Sequence, residues 1–160
     1  MASGITIIAI KAQQLGGMNN AWGVTIGTGA LLGLVMGSNV WFVIHPAQKL
    51  VIANAQATAA GGAALPGVPE AAARALLASR SNTLFSVPML FFMAASSHLA
   101  LPVSDSSHYG AYWACAAVVI GALEFNALKG KLGPIETVKG VITCGFLLAL
   151  LFVLLMAVVL

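Results

Sequence analysis

Residues 141–160 read VITCGFLLALLFVLLMAVVL, twenty positions in which one threonine, one cysteine and one glycine stand among otherwise apolar side chains. A helix of that length rises about 30 Å, the thickness of a bilayer's hydrocarbon core. In water it would present apolar surface on every side. In lipid that is what a spanning helix needs, because all of its backbone donors and acceptors are paired within the segment.

Three further stretches have the same character. Residues 24–44 are closed by His45 and Pro46, residues 83–101 by Pro102, and residues 111–128 carry Glu124 near their end. Together they predict an all-α integral membrane protein, a four-helix bundle forming one membrane domain over residues 1–160. Composition agrees. Of the chain, 60% is apolar and 7% charged, against about a quarter charged in an ordinary globular domain. Mean hydropathy is +0.99. The net charge of +3 comes from scattered Lys and Arg with no phosphate-binding stripe, so nucleic acid is not an expected partner.

Residues 5–10 are too short for a secretory core, so no cleaved signal is expected. Cys115 and Cys144 are single residues in apolar segments. They make neither a disulfide framework nor a Cys-x-x-Cys metal motif, and no Cys-x-x-Cys-His is present to attach haem c.

The connectors orient the chain. Residues 48–80 form the longest, broken by Gly61-Gly62 and Pro66-Gly67. Pro69-Glu70 then reads as a helix start, with an alanine-rich helix running on into the second span and projecting beyond the bilayer. Lys49, Arg74 and Arg80 mark this connector, and Lys129, Lys131 and Lys139 mark the third, whereas residues 102–110 hold no Lys or Arg. Cations favour the cytoplasmic face. Both termini are therefore expected outside a bacterial inner membrane, with connector 48–80 inside; Lys11 alone lies on the other side.

Gly29, Gly33 and Gly37 repeat at four-residue spacing on one face of the first span. Such a stripe lets helix backbones approach closely in lipid, within the chain or against another subunit. The last span is expected against lipid or a neighbouring subunit. Met89, Phe91, Phe92 and Met93 around the helix-bending Pro88 make a soft apolar surface suited to helix packing or to a quinone, carotenoid or chlorophyll tail.

Polar groups at membrane depth are costly and mark candidate sites. On the inner side lie His45, Arg80, Asn82, Thr83, Glu124 and Asn126, and the simplest expectation is a polar clamp in which Arg80 pairs with Glu124. On the outer side lie His98, Asp105 and His108. Imidazole and carboxylate are metal ligands, but this spacing matches no compact motif, and a capping role for His98 explains it as well. His45 and His98 fall at opposite faces, too far apart to share one haem iron within a monomer.

Trp41-Phe-Val-Ile-His-Pro-Ala-Gln-Lys49, then Ser79-Arg80-x-Asn82-Thr83 with Ser86 and Pro88, and finally His98 resemble the N-terminal membrane domain of the bacterial cytochrome c-linked urate oxidases over about residues 41–98. That resemblance implies a larger multi-helix membrane unit fused to a periplasmic c-type cytochrome, of which this chain spans about half. It implies oxidation of urate with electrons passing to the cytochrome. It marks Arg80, Asn82, Thr83 and His98 as the positions to carry over.

Three functions follow as expectations. The first is a small accessory subunit of a respiratory or photosynthetic membrane redox complex, in contact with lipid and other membrane subunits, and with a quinone or pigment as possible ligand. The second is a urate-oxidase-type module serving a separate cytochrome c. The third is a proton-coupled transporter using Glu124 and His45.

Overall fold

The computed structural model describes residues 2–99, 101, 103 and 108–160; the loop positions 100, 102 and 104–107, Asp105 among them, lie outside the described residues. Those described are mostly helical, joined by turns and short irregular connectors. They form α1 (Ala2–Gln14), α2 (Ala21–Asn39), α3 (His45–Ala59), α4 (Val68–His98), α5 (Tyr109–Lys129) and α6 (Val138–Val159).

The expected break at His45-Pro46 is corrected. A single wide π turn, Val40–Ile44, joins α2 to α3, and the helix continues to Ala59. Pro46 explains the local geometry. It has no N–H to donate and its ring crowds the carbonyl four residues back. One turn before it the ladder slips to a five-residue span, the His45 amide donating to the Val40 carbonyl. Extra room in a π turn lets the helix pass a proline without stopping.

The stretch Ala21–Ala59 is 39 residues long, about 58 Å at 1.5 Å per residue and so nearly twice a bilayer core. Its second half, α3, packs on the start of α4 through Ala47, Ala71, Ala75 and Leu50, small side chains that let two backbones approach. The loop between them is closed by the Asn54 side chain, whose Oδ1 accepts from the Leu65 N–H at 2.8 Å. Gly67 then turns the chain at φ +76°, a conformation that favours glycine, and α4 begins with Pro69 in its first turn.

Helix α4 is central, touching α2, α3, α5 and α6. The pairings fix its register. Gly29 lies against the Met89 carbonyl and Met93, and the Met36 carbonyl meets Asn82, so α2 and α4 run antiparallel. Gly145 lies against Leu84 and Val87, and Phe152 meets Phe92 edge-on at 6.1 Å, so α6 runs parallel to α4. Thr28 meets Tyr112 and Asn39 meets Glu124 at sequence offsets of 84 and 85, so α5 runs parallel to α2. The four helices alternate up and down. Val24, Leu32, Phe85, Phe92, Tyr112, Phe152 and Met156 fill the space between them.

Three helical stretches are long and apolar enough to cross a membrane: Ala21–Ala59, Tyr109–Lys129 and Val138–Val159. Helix α4 falls short on composition, since Ser79, Arg80, Ser81, Asn82, Thr83 and Ser86 crowd its middle.

Candidate functional site

The polar centre of the bundle is built on Asn39, the last residue of α2, which is 1% exposed. Its side-chain amide donates to Asn82 Oδ1 on α4 at 3.0 Å and to Glu124 Oε2 on α5 at 2.9 Å. Asn82 in turn donates to the Met36 carbonyl at 3.0 Å. The network is internally consistent. A carboxyl oxygen facing Asn39 requires its nitrogen there, both amide hydrogens are then used, and Asn82 must present oxygen to Asn39 and nitrogen to the backbone. Three helices are thus tied at one level beside the π turn.

This arrangement replaces the expected Arg80–Glu124 pair. Arg80 is half-buried on α4 and makes no ion pair with Glu124 among the described residues. His45 points outward and stacks edge-on with Trp41 at 6.0 Å. Asn126 does not join the clamp; it caps α5, bonding the Lys131 backbone at 3.3 and 3.4 Å. Thr83 is exposed and spends its hydroxyl on the Ser79 carbonyl of its own helix at 3.0 Å.

A second polar contact lies deeper. Tyr112 and Thr28 are both fully buried and meet at 2.7 Å. Thr28 also donates to the Val24 carbonyl at 2.8 Å, so its single hydrogen is committed and the Tyr112 hydroxyl is the donor between the two.

The outer residues do not gather. His98 is exposed at the end of α4 and His108 is exposed just before α5, with Asp105 outside the described residues. Among the described residues no three His, Cys, Asp or Glu side chains converge as a metal site would require. Arg80 and His98, eighteen positions apart on one helix, are separated by about 27 Å.

The methionine and phenylalanine surface around Pro88 is largely consumed by packing. Phe92 and Pro88 are buried, Met89 and Met93 lie against Gly29, and a Cβ added at Gly33 would fall 3.9 Å from the Met89 side chain. An open space exists elsewhere, a cavity of about 550 Å³ between α4, α5 and α6, lined by Ser81, Leu84, Phe85, Asn126, Cys144 and Leu148 among others.

Sequence reasoning missed Asn39, Thr28, Tyr112 and Ser81. For Asn39 a signal was present, since a carboxamide inside an otherwise apolar span has to find a partner. For Ser81 there was none, because serine is common in helices near a membrane boundary.

The family model described as urate oxidase N-terminal matches residues 1–157, well beyond the stretch 41–98 whose residues carry the resemblance. Comparison with curated proteins and with solved structures gives no match. A match over nearly the whole chain decides the classification: this protein belongs to the urate oxidase N-terminal family.

Proposed function

We propose that the chain is a membrane-embedded subunit of a urate-oxidase-type redox assembly in a bacterial inner membrane, one that packs against a partner rather than completing a catalytic site by itself. The observation that carries this is the dispersal of the residues marked by the resemblance. Asn82 is bound into the Asn39–Glu124 clamp, Thr83 bonds its own helix, and His98 lies at the far end of α4. A small, polar, planar purine needs several convergent donors and acceptors, and these four positions do not converge.

Four crossings are part of the same reading. Helix α4 lies antiparallel beside α2 from Asn82 to Met93, so when α2 spans, α4 spans with it, screened from lipid by its neighbours. Trp22 and Trp41, about 29 Å apart along the axis, suit the two interfacial belts of one bilayer. The register groups Lys49, Arg74, Arg80, Lys129, Lys131 and Lys139 at one end, which is then cytoplasmic, with both termini periplasmic. The α3–α4 hairpin stands out into the cytoplasm.

Isolation of the native complex in mild detergent tests this. A redox-active partner should co-purify, and the chain alone should give no urate-dependent reduction of cytochrome c. Full activity from the isolated chain, lost on replacing Arg80 or His98, would establish the rival in which the module itself oxidises urate and serves a separate cytochrome. The family match supports that rival as well. Transport through Glu124 and His45 has less support, since no hydrogen bond among the described residues joins them.

A further inference from the structure

We infer that the cavity between α4, α5 and α6 is a binding site for an isoprenoid quinone. The case starts from Ser81. It is 4% exposed, yet among the described residues its hydroxyl has no hydrogen-bond partner, not even the backbone carbonyl that buried helical serines usually take. Among the described residues no fully enclosed side-chain polar atom lacks a partner. The Ser81 oxygen therefore meets the cavity that it lines. An unsatisfied hydroxyl facing an apolar hole is unfavourable by itself, and a ligand bearing an acceptor removes the penalty.

The rest of the wall defines that ligand. Asn126 on α5 stands near the same end as Ser81, and its amide hydrogen bonds to the Lys131 backbone are long, leaving a second N–H to offer. Beyond these two neutral donors the wall is apolar, with Leu84, Phe85 and Leu148 toward the bundle and Cys144 on α6. Among the described residues no charged side chain lines it, which disfavours a phosphate headgroup. The volume of about 550 Å³ lies within the range of small-molecule sites, roughly 300–1,000 Å³. The mouth opens outward past Val118, Leu147 and Leu151, all exposed on the lipid-facing side. A neutral planar head with carbonyl acceptors, entering sideways from the bilayer and trailing an apolar tail, fits each of these features.

Cys144 sits in the wall and reports on occupancy. In the otherwise intact chain carrying Cys115→Ala, reconstituted in phosphatidylglycerol–phosphatidylcholine nanodiscs, the rate of Cys144 modification by N-ethylmaleimide is measured with and without decyl-ubiquinone. The result expected at about ten times Kd is a roughly tenfold slower reaction. Ser81→Ala should raise Kd about fivefold, the worth of one hydrogen bond, so that protection at the same concentration falls to roughly threefold, and Ala122→Phe, which fills the space, should abolish it. Ser86→Ala, whose hydroxyl bonds the Thr83 carbonyl, should leave it unchanged. Equal protection by decylbenzene, which has no acceptor, would overturn the assignment in favour of an unspecific apolar hole. Protection already complete in quinone-free nanodiscs would overturn it in favour of a phospholipid chain. Quinone protection indifferent to Ser81→Ala would also overturn it.

Discussion

Replacing Asn39 by alanine withdraws two interhelical donors at once. Side-chain hydrogen bonds between membrane helices average about 0.6 kcal/mol and reach about 1.7, so the two lost bonds account for roughly 1–3 kcal/mol. Glu124 Oε2 and Asn82 Oδ1 would then face a small void without a donor, and an unsatisfied buried acceptor adds about 1 kcal/mol or more. A total of about 2–4 kcal/mol is expected. The neighbouring Ser38→Ala is the control. Ser38 is exposed and bonds only the Leu34 carbonyl of its own helix at 3.0 Å, so its loss should cost less than about 0.5 kcal/mol. Equilibrium unfolding in bilayer discs, with the Asn39→Ala and Glu124→Gln changes made singly and together, measures both the cost and the coupling. An Asn39→Ala effect no larger than that of Ser38→Ala, or strictly additive behaviour in the double variant, would refute the three-helix clamp.

Gly145→Val should destabilise by about 1–3 kcal/mol, because a Cβ there falls 2.8 Å from the Val87 side chain and 3.1 Å from the Leu84 carbonyl; Gly121→Ala, with nothing within 4 Å, should be close to neutral in the same unfolding measurement. Tyr112→Phe should cost about 1 kcal/mol and no more, since Thr28 keeps its bond to Val24. Single cysteines at Ser3 and Ala63 in a background without Cys115 and Cys144 should react with an impermeant maleimide from opposite sides of the membrane. Labelling of both from one side would eliminate the four-crossing topology.

Much of the bundle could be read directly because membrane spans announce themselves through uninterrupted apolar length. Helices α5 and α6 begin and end within three residues of their sequence bounds. The start of α4 was equally legible, for Pro69 and Glu70 are placed where a helix N-terminus wants them. The end of α2 was not. Proline at 46 usually stops a helix, and only tertiary packing of α3 on α4 through Ala47, Ala71 and Ala75 makes continuing past it worthwhile. The clamp was half legible for a similar reason. Glu124 and Asn82 drew notice as costly polar groups, but charge complementarity pointed to Arg80 as the partner of Glu124. What decides the pairing is rotational phase about the helix axis, which places Asn39 inside and leaves His45 outside.

The wide turn at Val40–Ile44 has an outcome for how this chain tolerates change in length. Successive residues of a helix are set about 100° apart, so losing one position there would turn α3 about its axis by roughly that angle while α2 kept its seating against α4. Insertions or deletions at this point would thus change which face of α3 lies against α4 and take Ala47 away from Ala71 and Ala75. The same event a few residues earlier would pull Asn39 out of its socket.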